Sequence, residues 1–247
     1  MAFAYFPADL HLHTVLSACA EIEMIPPLIV QRARQLGLQL MAVTDHNSAE
    51  NAAAMVAAGL EAGITILPGM EVQTREEVHL ICLFDTVDQA VGWQEYVYSH
   101  LPPLKNRDEV FGSQLVVDAQ GEFISFNERL LLTSTTLSVE DVFERVDDME
   151  GLVVPAHVDR PAFSLLANLG FLPPGLDIPA VEISTNTRIS AVAEQFPMLA
   201  GKTLIQSGDA HRLTELHNRM LVKLERPAVS ELRMAFLNQG GRRVIID

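Results

Sequence analysis

Cationic side chains are scarce in this chain. Its 247 residues include 17 Lys and Arg against 32 Asp and Glu, a formal net charge of −15. That deficit excludes a broad basic face and counts against long nucleic acid as a partner. Nucleotides stay open as substrates, because bound divalent cations reverse the sign of the field locally. Cysteine is nearly absent. Cys19 and Cys82 alone make no disulfide framework, so a reducing cytoplasm is the expected compartment. Long apolar runs are missing too, and none approaches the ~18 residues of a membrane span. The opening MAFAYFPADLHLH has no basic start and is interrupted by Pro7 and Asp9, so it does not read as a signal peptide. What remains is a chain that is 49% hydrophobic. That is ample for a large core, and α/β barrels of this length are routinely one domain, so 1–247 is expected to fold as a single unit.

Apolar runs that read as strands alternate with stretches that read as helices. The strand candidates are 8–13, 38–45, 64–72, 78–84, 151–157, 180–184 and 202–211, followed by 219–224 and 242–247. Pro26 and Pro27 open a helix that Gly37 closes. Ser48 or Asn47 can cap a second, Ser138 with Asp141 can cap a third, and ERPAVSELRMAFLNQGG ends on a glycine stop. The apolar strands lack clean alternation, which implies a parallel sheet covered on both faces. Residues 103–137 break the rhythm. QLVVDAQGEFISF reads as a hairpin turning at Asp118–Gly121, an excursion suited to a lid or a dimer contact.

Six of the eight histidines fall in five short motifs at or near these strands: His11 and His13, His46, His79, His157 and His211. Residues i and i+2 of a strand share a face, so His11 and His13 can reach one ion or two adjacent ions. Asp45 and His46 close one apolar run, Glu71 another and His157 a third, while Asp209 and His211 follow a fourth. The carboxyl ends of parallel barrel strands share one face, so these side chains are expected to converge there on metal. His79 returns beside the Glu71 strand and joins the ligands. Glu21 and Glu23 lie in the loop after the first motif, and either carboxylate can reach the cluster. Imidazoles and carboxylates without thiolate suit zinc, manganese or iron(II), two or three ions in all. Asp9 and Asp45 adjoin ligand histidines and suit either orientation of those rings or capping of strand ends. His100 and His217 fall outside every motif, and Cys82 reads as a buried core thiol.

The motifs DLHLHT, AVTDHNS, PGMEV with EVHL, PAHVDRP and SGDAH, in this order over residues 9–211, resemble those of the polymerase and histidinol phosphatase (PHP) superfamily of metal-dependent phosphoesterases. The resemblance implies an α/β fold, a distorted seven-stranded (β/α)7 TIM-like barrel with its metal cluster at the C-terminal face of the strands. It implies one metal on His11, His13, Glu71 and Asp209, and a second, bridged by Glu71, on His79 and His157. A third would sit on His46, His211 and an acidic residue of the first loop. The chain departs from the commoner pattern here, since SACAEIEMIP lacks the usual Asp-Gly; counting back from Pro26 favours Glu21, with Glu23 second.

The expected activity is hydrolysis of a small or nucleotide-like phosphate ester by a metal-activated hydroxide, with Asp209 doubling as ligand and proton acceptor. Arg160, Arg188 and Arg212 all follow strand ends on the presumed active face and are candidates to grip phosphate, Arg160 first. Two other readings compete. An amidohydrolase also uses HxH and a terminal aspartate, but Glu71 occupies the bridging position that a carbamylated lysine would need. A non-catalytic metal-bound scaffold would be expected to have lost some ligands.

Overall fold

A computed structural model describes residues 2–246, so Asp247, the end of the last expected strand, lies outside them. The first half of the chain runs β1 (Ala4–Asp9), α1 (Pro26–Leu36), β2 (Leu40–Val43), α2 (Ala52–Ala62), β3 (Thr65–Gln73), β4 (His79–Leu83), α3 (Val87–His100), α4 (Asp108–Phe111), β5 (Leu115–Val117) and β6 (Phe123–Phe126). The second half continues with α5 (Val139–Asp148), β7 (Leu152–Pro155), α6 (Leu165–Leu169), β8 (Ala180–Glu182), α7 (Ile189–Gln195), β9 (Thr203–Ile205), β10 (Met220–Leu224), α8 (Val229–Phe236) and β11 (Arg243–Ile246).

Local chemistry explains most of these boundaries. Pro26 opens α1, and Gly37 closes it at φ 73. Ser138 and Asp141 form the expected capping box of α5, and Asp118 accepts the N–H groups of Gln120 and Glu122 in the β5–β6 turn. Thr86 and Gln89 make a second capping box on α3, a helix the strand-centred reading passes over. The helix expected to begin at Ser48 starts later, at Ala52. Asn47 and Ser48 have other partners: Asn47 donates to the carbonyls of Leu131 and Thr133, and Ser48 to Gln94.

The sheet departs from a closed parallel barrel. Seven strands form one curled, open sheet in the order β11-β10-β1-β2-β3-β4-β7, and β8 and β9 pair apart from it. Within that sheet, among the described residues, only β1–β2 and β2–β3 are parallel; β3–β4, β4–β7, β1–β10 and β10–β11 are antiparallel. The reversal of β4 against β3 follows from the short turn from Thr74 to Val78, where the Thr74 N–H donates to the Val78 carbonyl. A parallel return needs a crossover of roughly a dozen residues or more. Since β4 runs backward, His79 at its start faces Gln73 at the end of β3. The ring stays broken at both ends of the β8–β9 pair. On the β9 side an isolated bridge, Leu12 to Ala210, stands in for a ladder.

Both faces of the main sheet are covered, as its strands imply. Met41, Val43, Met70 and Val72 pack into one core with α1, α2, α3 and α5. Leu40, Ala42, Ile81, Val154, Ala180 and Ile205 pack into another, which α8 completes through Leu232 and Phe236. Each Val, Leu, Ile, Met or Phe side chain among them contributes about 1.5–3 kcal/mol by leaving water. Gly59 lets α2 lie close against β3, since a Cβ there would come 2.6 Å from the Ile66 side chain. Cys82 is buried in the first core, as expected of a core thiol. Among the described residues no helix is long and apolar enough to cross a membrane.

Candidate metal centre

The chain leaves β1 at the site, and its two histidines are held from behind. His11 and His13 are wholly buried. Glu182, at the end of β8, accepts from His11 Nδ1 at 2.9 Å and from the His157 N–H at 3.0 Å. Ser17 Oγ accepts from His13 Nδ1 at 3.0 Å and donates to Asp45 at 2.7 Å. Asp45 also takes the N–H and hydroxyl of Thr14. With each Nδ1 donating, each Nε2 is left to face inward, and the two lie 3.3 Å apart. Asp45 thus acts on His13 through Ser17. Asp9 caps backbone instead, accepting from the N–H groups of His11, Gly208 and His217.

Glu71, near the end of β3, is the centre of the constellation. Five imidazoles approach its carboxylate: His11 at 3.3 Å, His13 at 3.4 Å, His46 at 3.0 Å, His79 at 2.9 Å and His157 at 3.2 Å. Asp209 Oδ1 lies 3.2 Å from His11 Nε2 and 3.1 Å from His13 Nε2. The His211 ring stacks on His13 with centroids 4.1 Å apart. Three sets of donor atoms lie within 4.8 Å of one another: His11, His13, Glu71 and Asp209; His46, Glu71 and His79; and His13, His46 and His211.

This arrangement fits divalent cations. Metal bonds of about 2.0–2.2 Å place neighbouring nitrogen and oxygen donors roughly 3 Å apart, close to the spacings around Glu71. One buried oxygen at the centre also lacks a hydrogen-bond partner, Glu71 Oε2. Glu71 Oε2 stands 3.0 Å from His46 Nδ1 without the alignment of a hydrogen bond. A shared ion would satisfy both atoms.

The electrostatics describe a site built for positive charge. Burial pushes the His13 imidazole down, but hydrogen bonds to Asp209 and Glu71 outweigh it and raise the group to about 9. His46 also reaches about 9, where burial and the His13 charge oppose Glu71. Glu71 is held well below its ordinary range: burial raises it, and the charges of His79, His11 and His46 prevail. His211 falls to about 3 through burial and the charge of His13.

Of the residues expected at the site, His11, His13, His46, Glu71, His79, His157, Asp209 and His211 are all brought together. His46 belongs to two of the donor sets, and His157 reaches Glu71 without joining a set. Glu21 is not brought in. Its N–H bonds the His211 carbonyl at 2.8 Å, while its half-exposed carboxylate lies 3.5 Å from Arg212. Glu23 is in none of the sets. Arg160 pairs with Asp209 at 2.6 Å. Arg212 lies 3.2 Å from Glu215, and Arg188 is an exposed residue preceding α7. Glu182 and Ser17 are the participants that motif reading misses. The signal for Glu182 is a lone carboxylate inside the apolar run AVEIS, which must find a partner when buried.

A cavity of about 330 Å³ opens on the centre, lined by His46, Glu71, His79, His157, Arg160, Pro161, Ala162, Phe163, Asp209 and His211. A second cleft, which includes Cys19, Gly208, Arg212 and His217, shares Arg160, Asp209 and His211 with it.

Fold and site together define an α/β protein with a histidine–carboxylate centre at one end of a curled sheet. The chain belongs to the PHP domain family, whose model matches residues 9–134. No match was found among curated proteins. Solved structures share its fold. The lesion-specific endonuclease PfuEndoQ of Pyrococcus furiosus is 19% identical with a TM-score of 0.69, over 98% of this chain and 58% of that one. This chain therefore spans somewhat more than half the endonuclease's length. A Bifidobacterium adolescentis protein provisionally assigned as a metal-dependent phosphoesterase is 19% identical with a TM-score of 0.53, over 83% of this chain and 87% of that one. An amidohydrolase of Chromobacterium violaceum, with bound sulfate and no metal, is 16% identical with a TM-score of 0.59, over 97% and 98%.

Proposed function

We propose that this protein is a metal-dependent phosphoesterase acting on a nucleotide-like phosphate ester. The observation that carries the reading is Glu71 among five imidazoles, with Asp209 alongside and paired to Arg160. The proposed holders of two or three ions are His11, His13, Glu71 and Asp209; His79 and His157 with Glu71; and His46 with His211. Glu21, the loop acid favoured for the third ion, has its carboxylate 3.5 Å from Arg212 and would have to turn from it to join the last pair. Zinc, manganese or iron(II) bound there would acidify water and neutralise phosphate charge.

The chain's own groups divide the remaining work. Arg160 offers a planar guanidinium at the mouth of the cavity, where it would orient the phosphoryl oxygens. Arg212, at the second cleft, and Arg188 are the reserve candidates. Asp209 would take a proton from the attacking water while the P–O ester bond breaks, and the leaving alkoxide would take its proton from solvent to depart as the alcohol. Glu182 and the Asp45–Ser17 pair keep the two histidines of the first motif in one tautomer throughout.

The ester class is wider than composition alone implies. A solved complex of Endonuclease Q holds a 27-mer duplex with an abasic lesion at its active site, on a shared fold. The net charge therefore does not decide against nucleic acid, and DNA belongs among the substrates to test. The amidohydrolase neighbour shares the fold too, but no lysine lines the cavity here among the described residues.

The test is reconstitution with zinc, manganese and iron(II), elemental analysis, and assay against phosphomonoesters, phosphodiesters, abasic DNA and an amide panel. Two or three ions per chain with ester hydrolysis is the expected result. One ion or none, or amide turnover alone, would overturn the reading.

A further inference from the structure

Phe163 does not behave like a core aromatic. It is 44% exposed, yet its ring stacks on His79, with centroids 4.9 Å apart and planes tilted by 24°. Its backbone stands at φ 56, a conformation that aromatic residues rarely adopt. Several bonds hold it there. The Phe163 carbonyl accepts from the His79 N–H at 3.0 Å. Ser164 caps α6 through the Ala167 N–H and donates back to the Arg160 carbonyl at 2.7 Å. Asp159 anchors the start of the loop by accepting from the N–H and hydroxyl of Ser184 and from the Thr187 hydroxyl. A loop tied at so many points, with a strained residue presented to a cavity, is the pattern of a functional constraint.

We infer that Phe163 is a stacking platform for the nucleobase of a nucleotide whose phosphate lies at Arg160 and the Glu71 centre. The inference rests on the phosphoesterase reading and deepens it by assigning the ring that the site selects. Three observations combine. Phe163 and Arg160 line one cavity and stand three residues apart on one loop. One side of the Phe163 ring is already backed by His79, so its orientation is set before any ligand arrives. The segment between them, Pro161 and Ala162, carries no charge and no side-chain donor, which suits a planar apolar face better than a sugar's hydroxyls. Base-on-aromatic stacking is tolerant of sequence because every base has a π-face.

The experiment compares adenosine 5′- and 3′-monophosphates with ribose 5-phosphate, which keeps the phosphate and sugar and lacks the base. Zinc-loaded protein is titrated by NMR and assayed in parallel. Stacking predicts upfield ring-current shifts of the adenine H2 and H8 protons. It also predicts a kcat/KM for at least one nucleotide about 10–100-fold above that for ribose 5-phosphate. F163A should abolish the shifts and collapse that ratio toward one, with metal content unchanged, whereas F163W should restore both. Shifts with no hydrolysis of any ester would keep the platform and remove the phosphoesterase reading. Hydrolysis with no shifts and equal kcat/KM for all three esters would keep the phosphoesterase and overturn the platform. Neither binding nor hydrolysis would overturn both.

Discussion

The two flanks of the curled sheet are stabilised by opposite means. On one flank β1, β10 and β11 run in unbroken antiparallel register, from Ala4–Leu224 through Ala8–Met220 and on to Met220–Ile246. Apolar burial and ladder hydrogen bonds are enough there. At the metal-facing end the ladders stop, and loops carry buried charge. Of the seven non-glycine residues with positive φ among the described residues, four belong to these loops: Asn47, His157, Phe163 and Asp209. Strain and uncompensated charge are thus concentrated where donors converge. The sheet flank is complete in itself, whereas the metal end is assembled around charge that something else must complete.

The comparison is tested most severely at Glu71. Glu71→Gln should lower ester hydrolysis by at least about 10³-fold, whereas Glu23→Gln should leave it nearly unchanged. In metal-free protein the same change leaves buried imidazolium without its anion, at a cost of about 3–5 kcal/mol. Steady-state kinetics and thermal unfolding of the two variants decide; similar losses in both would make Glu71 an ordinary buried acid.

Metal-free protein should also respond to pH as the sheet flank does not. His13 and His46 are held at about 9, above their ordinary 6.5. Their stabilisation is therefore complete below pH 6.5 and is lost as pH rises through 9. The ceiling is about 3 kcal/mol for each imidazole. Unfolding midpoints between pH 6.5 and 10 should fall steeply without metal and stay flat with it, because bound cations take over the charge of the protons. Parallel curves would refute this.

Glu182→Ala should weaken metal binding by about 10–100-fold, since His11 loses the acceptor that orients it. Competition with a chelator measures the loss. Arg160→Ala should reduce kcat/KM by about 10-fold or more with metal content unchanged, and Arg160→Lys should recover only part, for want of a planar fork. At the scaffold, Ser138→Ala should cost only about 1 kcal/mol through the lost cap of α5 and leave metal content intact.

Read alone, the residues determine the donor inventory and the α/β alternation. Strand-end spacing is enough to bring out His11, His13, His46, Glu71, His157, Asp209 and His211, because a strand that stops at a histidine or carboxylate marks where its side chain emerges. Helix starts at Pro26 and Ser138 are likewise local and legible. Tertiary structure decided the rest. The short Thr74–Val78 turn reverses β4, and it delivers His79 from the start of a strand instead of its end. Glu182 lies 171 residues from its partner His11, so only the folded sheet could bring that pair together. The loop after the first motif curls Glu21 toward Arg212, through bonds from Ala20 to Ser17 and from Met24 to Glu21. Local signals are read from neighbours in sequence, whereas register, turn direction and the partners of a buried charge depend on contacts that exist only once distant segments have closed on one another.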